Sequence, residues 1–193
     1  MNMTKIDEIK NLLDTMGSAT IVNRTKVADY IIKNDELLPS LINVLFETDY
    51  KLHHKAGWIL EFILEDSLEW LIPYLDFFTN NLSTLKNQSA IRPASKICKY
   101  ISIAYNKDKP IVKANLTKTH IENMIEAGFD WLIEDNKIAP QVYSMTFLYL
   151  FGKQNISNLD WVHEELKKIL IQDIPNGSSG YKAQGKHILN LIS

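Results

Sequence analysis

Apolar residues along this chain recur at spacings of three and four, and almost no stretch alternates with a period of two. That is the pattern of amphipathic helices, not of strands. Ten helices are predicted, over residues 4–14, 18–34, 35–48, 50–64, 65–79, 87–104, 117–135, 137–153, 158–174 and 178–192. The segments between them carry turn and N-cap chemistry: Gly17-Ser18, Asn34-Asp35, Asp66-Ser67, Asn80-Asn81, the stretch 155–158, and Asn176 to Gly180. Short Asn, Asp and Ser side chains bond to nearby backbone N–H groups, and Gly supplies conformations that other residues avoid. The longest interruption, 106–115 with Pro110, reads as a polar loop inside the array.

Taken in consecutive pairs, the second helices repeat one motif: a small residue followed three and four positions later by two apolar ones. The instances are Ala28/Ile31/Ile32, Ala56/Ile59/Leu60, Ala94/Ile97/Cys98, Ser144/Phe147/Leu148 and Gly185/Ile188/Leu189. A small side chain lets a neighbouring helix approach, and the two that follow fill the core. The small residues fall 28, 38, 50 and 41 positions apart, irregular but within the range of helix-pair repeats.

Pro39 and Pro73 lie in first helices, and the second helices after them open with His53-His54-Lys55 and with Arg92. On these residues the chain resembles the HEAT repeat superfamily. The resemblance covers most of the chain as a degenerate pattern and departs from the family in its uneven repeat length. It implies an all-α fold, a right-handed α-α superhelix (a HEAT/ARM-like solenoid) of about five antiparallel helix pairs. Residues 1–193 would form a single domain with second helices lining its concave side. It implies no single activity.

Composition narrows the class without naming a function. With 46% apolar and 23% charged residues in a chain of 193, global disorder is excluded and one continuous core is expected. Cys98 stands alone, so no intramolecular disulfide can form, which fits a reducing cytoplasmic setting. The polar, acidic start of the chain does not read as a secretory leader. No apolar run approaches the roughly 20 residues of a membrane helix, so no membrane partner is expected.

The net charge of −2 conceals a segregated pattern. The predicted second helices hold twelve cations against two carboxylates, whereas the first helices hold five against nineteen. Paired layers of opposite charge keep a surface hydrated, which is one reading. Turning each second helix by about 100° per residue sharpens it. The positions opposite the core read Lys26/Tyr30/Lys33, then His54/Trp58/Glu61, then Arg92/Lys96/Lys99. This basic stripe, interleaved with Tyr30 and Trp58, suits an anionic partner. Lys and Arg would hold carboxylates or phosphates, and an exposed indole would stack on a planar group. The candidate site is therefore Lys26, Tyr30, Lys33, His54, Trp58, Arg92, Lys96 and Lys99. The partner expected first is a protein or acidic peptide, and next a nucleic acid. Trp70, Trp131 and Trp161, on first helices, are read as packing residues.

No catalytic motif competes strongly with this reading. His163-Glu164-Glu165 lacks the second histidine four residues after the first, because Lys167 stands there, so a metal pair is not formed. His53 and His54 are adjacent and point about 100° apart on a helix. Cys98 falls on a core position and reads as a buried small hydrophobe. No phosphate loop or nucleophile elbow occurs, and no metal or cofactor is expected. The enzymatic alternative comes from resemblance to HEAT-like DNA alkylation-repair proteins, which implies base excision with Glu61 as the catalytic carboxylate beside Trp58 and Arg92.

Overall fold

The computed structural model describes residues 3–134, 137–154, 156 and 158–192, and among these it contains eleven α-helices and no strand. Residue 135 of the predicted helix end and residues 155 and 157 of the predicted turn lie outside the described residues. The chain resolves into two compact units, Met1–Ala94 and Ser95–Ser193, with the boundary inside one helix.

In the first unit, α1 (Lys5–Thr15) starts at Thr4, whose hydroxyl accepts from the Asp7 N–H while the Asp7 carboxylate accepts from the Thr4 N–H. This reciprocal cap satisfies two orphan donors of the first turn. Thr20 caps α2 (Ile21–Lys33) in one direction only, its hydroxyl accepting from the Asn23 N–H. A 3-10 turn at Asp35–Leu37 leads into α3 (Leu38–Phe46), followed by α4 (His53–Asp66). Helix α1 packs on α3, α2 packs on α4, and α3 lies against α4. Two buried side chains finish helix ends here: Lys55 Nζ donates to the Leu13 carbonyl at 2.8 Å, and His53 Nδ1 lies 2.8 Å from the Leu45 carbonyl. Last-turn carbonyls have no partner in their own helix, so these contacts lock α4 to the ends of α1 and α3.

The predicted helix 65–79 is broken. A 3-10 stretch, Leu68–Tyr74, contains Pro73 and passes into a short α5 (Leu75–Asn80). Proline has no N–H to give and crowds the preceding turn, which explains the change of helix type. The unit ends in the first turns of α6 (Gln88–Asn106). There Pro93 meets Gly57 so closely that a Cβ on the glycine would fall 2.7 Å from the proline Cγ.

The second unit holds the rest of α6, then α7 (Pro110–Asn115), α8 (Lys118–Ile133), α9 (Ile138–Gly152), α10 (Trp161–Asp173) and α11 (Ser179–Ile192). Helix α9 is its centre, packing against α8, α10 and α11. Its core side chains, Met145, Phe147, Leu148 and Phe151, are fully buried. The predicted loop at 106–115 instead contains α7, which Pro110 opens at its first turn and Val112 anchors by burial. Proline suits that position because the missing N–H would have no helical partner anyway.

The small-residue motif lies in the core as expected. Ala28, Ala56, Ala94, Ser144 and Gly185 are all buried, and so are the apolar residues after them, with two departures. Ile32 is 45% exposed and Leu189 is half-buried.

Candidate binding surfaces

In the first unit, α2 presents Lys26, Tyr30 and Lys33 to solvent, as helical phase predicted. The Tyr30 hydroxyl donates to Glu8 Oε1 of α1 at 2.7 Å, and that carboxylate holds the phenol's pKa above its ordinary value. Among the described residues no carboxylate comes within 4 Å of Lys26 or Lys33. On α4, His54 and Trp58 are half-buried and meet edge to face with ring centres 4.8 Å apart. Burial first, then the neighbouring charges of His53 and Lys55, push the His54 pKa down, so this ring adds no charge at neutral pH.

Glu61 departs from the expectation that it faces solvent. Its side chain is only 4% exposed, and Arg92 Nη1 reaches Glu61 Oε2 at 3.3 Å. Phase along α4 alone does not register that α6 covers this position. Arg92 is correspondingly committed to Glu61 and contributes less to a basic stripe than its formal charge suggests.

In the second unit the cations stand over tyrosine rings. Lys96 Nζ lies 5.3 Å from the ring centre of Tyr100, and Lys99 Nζ lies 5.3 Å from that of Tyr143 on α9. Further along α9, Lys153 lies 5.8 Å from the Tyr149 ring. Tyr149 itself stacks on His163 at 5.4 Å, and His163 Nε2 bonds to the Tyr149 carbonyl at 2.9 Å. Tyr143, Tyr149 and Lys153 were not among the residues predicted for the site. Among the described residues no group of three His, Cys, Asp or Glu is placed to hold a metal. Nor is any helix among them long and apolar enough to cross a membrane.

A concavity lies elsewhere in the second unit, between α8 and α10, with a volume of about 570 Å³. Both helices pack on α9, which leaves a trough between them. Buried Ile125 and Leu159 form its floor, and Phe129 and Trp161 stack across it with ring centres 5.5 Å apart. Trp161 is 50% exposed rather than packed away. Its indole N–H donates to the Asn158 carbonyl at 3.1 Å, and Asn158 has φ +67°, a conformation asparagine takes more readily than most residues. Four carboxylates, Glu122, Glu126, Asp130 and Glu165, rim the trough. Comparison with protein-family models, with curated proteins and with solved structures finds no match for this chain.

Proposed function

We propose that this protein is a non-catalytic binding module of the HEAT-like repeat type whose second-helix cations take an anionic partner. The repeat reading is supported by packing between alternate helices within each unit, α1 on α3 and α2 on α4 in one, α9 on α11 in the other. The observation that carries the reading is the set of lysines held over tyrosines, Lys96 on Tyr100, Lys99 on Tyr143 and Lys153 on Tyr149. A ring face attracts the ammonium group and narrows its rotamers, so less freedom is lost when a carboxylate arrives. On the first unit, α2 separately presents Lys26 and Lys33 as exposed cations.

An acidic peptide or acidic protein surface is the partner that fits best. The chain's net charge of −2 makes it a poor host for a long polyanion, which feels the acidic helices as well as the basic ones. The runner-up, base excision of the alkylation-repair type, needs Glu61 open to a departing base. Its burial beneath Arg92 favours a structural carboxylate over a catalytic one.

The test is anisotropy of a labelled oligoglutamate peptide against labelled single-stranded and duplex DNA, at low and at physiological salt. Saturable peptide binding that weakens with salt, and falls roughly tenfold in a Lys96→Glu/Lys99→Glu variant, is expected. Undiminished binding by that variant would remove this face from consideration. Release of a damaged base from duplex DNA, lost on Glu61→Gln, would establish the enzymatic alternative instead.

A further inference from the structure

We infer that the trough between α8 and α10 is a second binding site, and that it docks a basic amphipathic helix of a partner protein. The inference is independent of the lysine–tyrosine face: it concerns other helices, and the opposite charge.

The trough is built from parallel rows. Along α8, Glu122, Glu126 and Asp130 repeat every four residues, and beside them Ile125, Phe129 and Ile133 do the same. On α10 the row is Trp161, Glu165 and Ile169, again at four-residue spacing. Each row spans eight residues, or about 12 Å at 1.5 Å per residue, which is roughly two turns of a third helix. The trough is therefore apolar along its length, with carboxylates on both lips. Ile133, 62% exposed, closes the apolar row at the end of α8, beyond which the adjoining cavity is lined mainly by polar groups, among them Glu134, Gln141 and Asp173.

Charge says what fits. Glu122 has Lys118 at 3.4 Å and Glu165 has Lys168 at 3.2 Å. Among the described residues Glu126 and Asp130 have no cation within 4 Å. Two adjacent uncompensated carboxylates beside exposed isoleucine and tryptophan ask for a ligand with an apolar ridge flanked by cations. An anionic membrane surface is repelled by the same rim. The walls are helix side chains with no open backbone edge, so an extended peptide would leave its own N–H and C=O groups unpaired. A helix satisfies them internally and offers apolar anchors at i, i+3, i+4 and i+7.

The probe is a synthetic leucine–lysine peptide with leucines at that helical spacing, labelled and titrated with the full chain. A scrambled peptide of equal composition and a leucine–glutamate counterpart serve as controls. The patterned basic peptide should bind saturably and at least roughly tenfold tighter than either control. Glu126→Lys/Asp130→Lys should cost it at least roughly tenfold, while circular dichroism remains that of the native chain. Trp161→Ala should also weaken it, through lost apolar contact instead of charge. Equal binding of the scrambled peptide would reduce the effect to general attraction between opposite charges and overturn the proposal. So would unchanged affinity in the double charge reversal. A chain that sediments as a dimer and becomes monomeric in that variant would show that a second copy fills the trough, and that too overturns it.

Discussion

Gly128 of α8 is where the packing of the second unit can be tested most sharply, because two effects of known size oppose each other there. Replacing glycine by alanine inside a helix stabilises it by about 1 kcal/mol if nothing else changes. Here the new methyl carbon would lie 2.4 Å from Phe147 Cε2, 2.7 Å from Phe147 Cζ and 3.2 Å from Leu148 Cδ2. The phenylalanine cannot retreat, being fully buried with its ring edge against Phe151. Overpacking costs about 1–3 kcal/mol, and a 2.4 Å approach to a ring that cannot move belongs in the upper part of that range, about 2–3 kcal/mol, so the steric effect wins. Gly128→Ala should destabilise by about 1–2 kcal/mol net, or lower the melting temperature by roughly 2–8 °C in a chain of this size. Gly180, near the start of α11, is the internal control. A Cβ there meets only the Ile138 Cγ2 at 3.1 Å, a single branch methyl of a side chain that is itself exposed and has room to give. Gly180→Ala should be neutral or stabilising by up to about 1 kcal/mol. Both are read by urea and thermal unfolding followed by circular dichroism. A Gly128→Ala protein as stable as the parent would refute the close approach of α8 to α9.

Other outcomes follow from individual environments. Trp131 is fully buried whereas Trp161 is half exposed, so Trp131→Ala should cost about 3–5 kcal/mol and Trp161→Ala about 1–2 kcal/mol in urea unfolding. Equal losses would contradict this difference in burial. Cys98 is buried and its thiol pKa is raised by burial, so a thiol reagent should leave the native chain unlabelled and react fully once it is unfolded. Rapid stoichiometric labelling of the native chain would contradict this. The His54 pKa is depressed in the folded chain, so below about pH 6.5 the unfolded state binds the proton better and stability falls as pH drops toward the folded value. Its NMR titration midpoint should lie below the usual histidine value, and one at or above that value would count against the burial described.

Much of the architecture was readable because helical periodicity and core position are local properties. The five small residues from Ala28 to Gly185 are buried because each is flanked by apolar residues on the same helical stripe, and that stripe is visible in the chain itself. Ile32 escaped because its burial depends on a neighbour: α2 packs on α4, and the flank where Ile32 sits stays 45% exposed. The helix at 110–115 was missed because Pro110 marks a boundary in either direction, and only Val112 provides an apolar anchor. For the site, phase correctly set Lys26, Tyr30 and Lys33 outward, but it put Glu61 outward too. That error arises wherever an adjacent helix supplies the cover, here through Arg92. The trough between α8 and α10 is a gap between two helices that share a third, so no single-helix projection reveals it. Its traces were nonetheless in the chain: the Glu122/Glu126/Asp130 row beside Ile125/Phe129/Ile133, on a first helix whose outer face had been assigned to packing and solubility.

The most direct measurement is an amide chemical-shift map of the labelled chain titrated with oligoglutamate and, separately, with the patterned leucine–lysine helix. The acidic peptide should move the signals of Lys96, Lys99, Tyr143 and Tyr149, and the basic helix those of Glu126, Asp130, Ile133 and Trp161. Oligoglutamate shifts scattered over the chain, or absent from the lysine–tyrosine residues, would contradict the account of this protein as a binding module with a basic face.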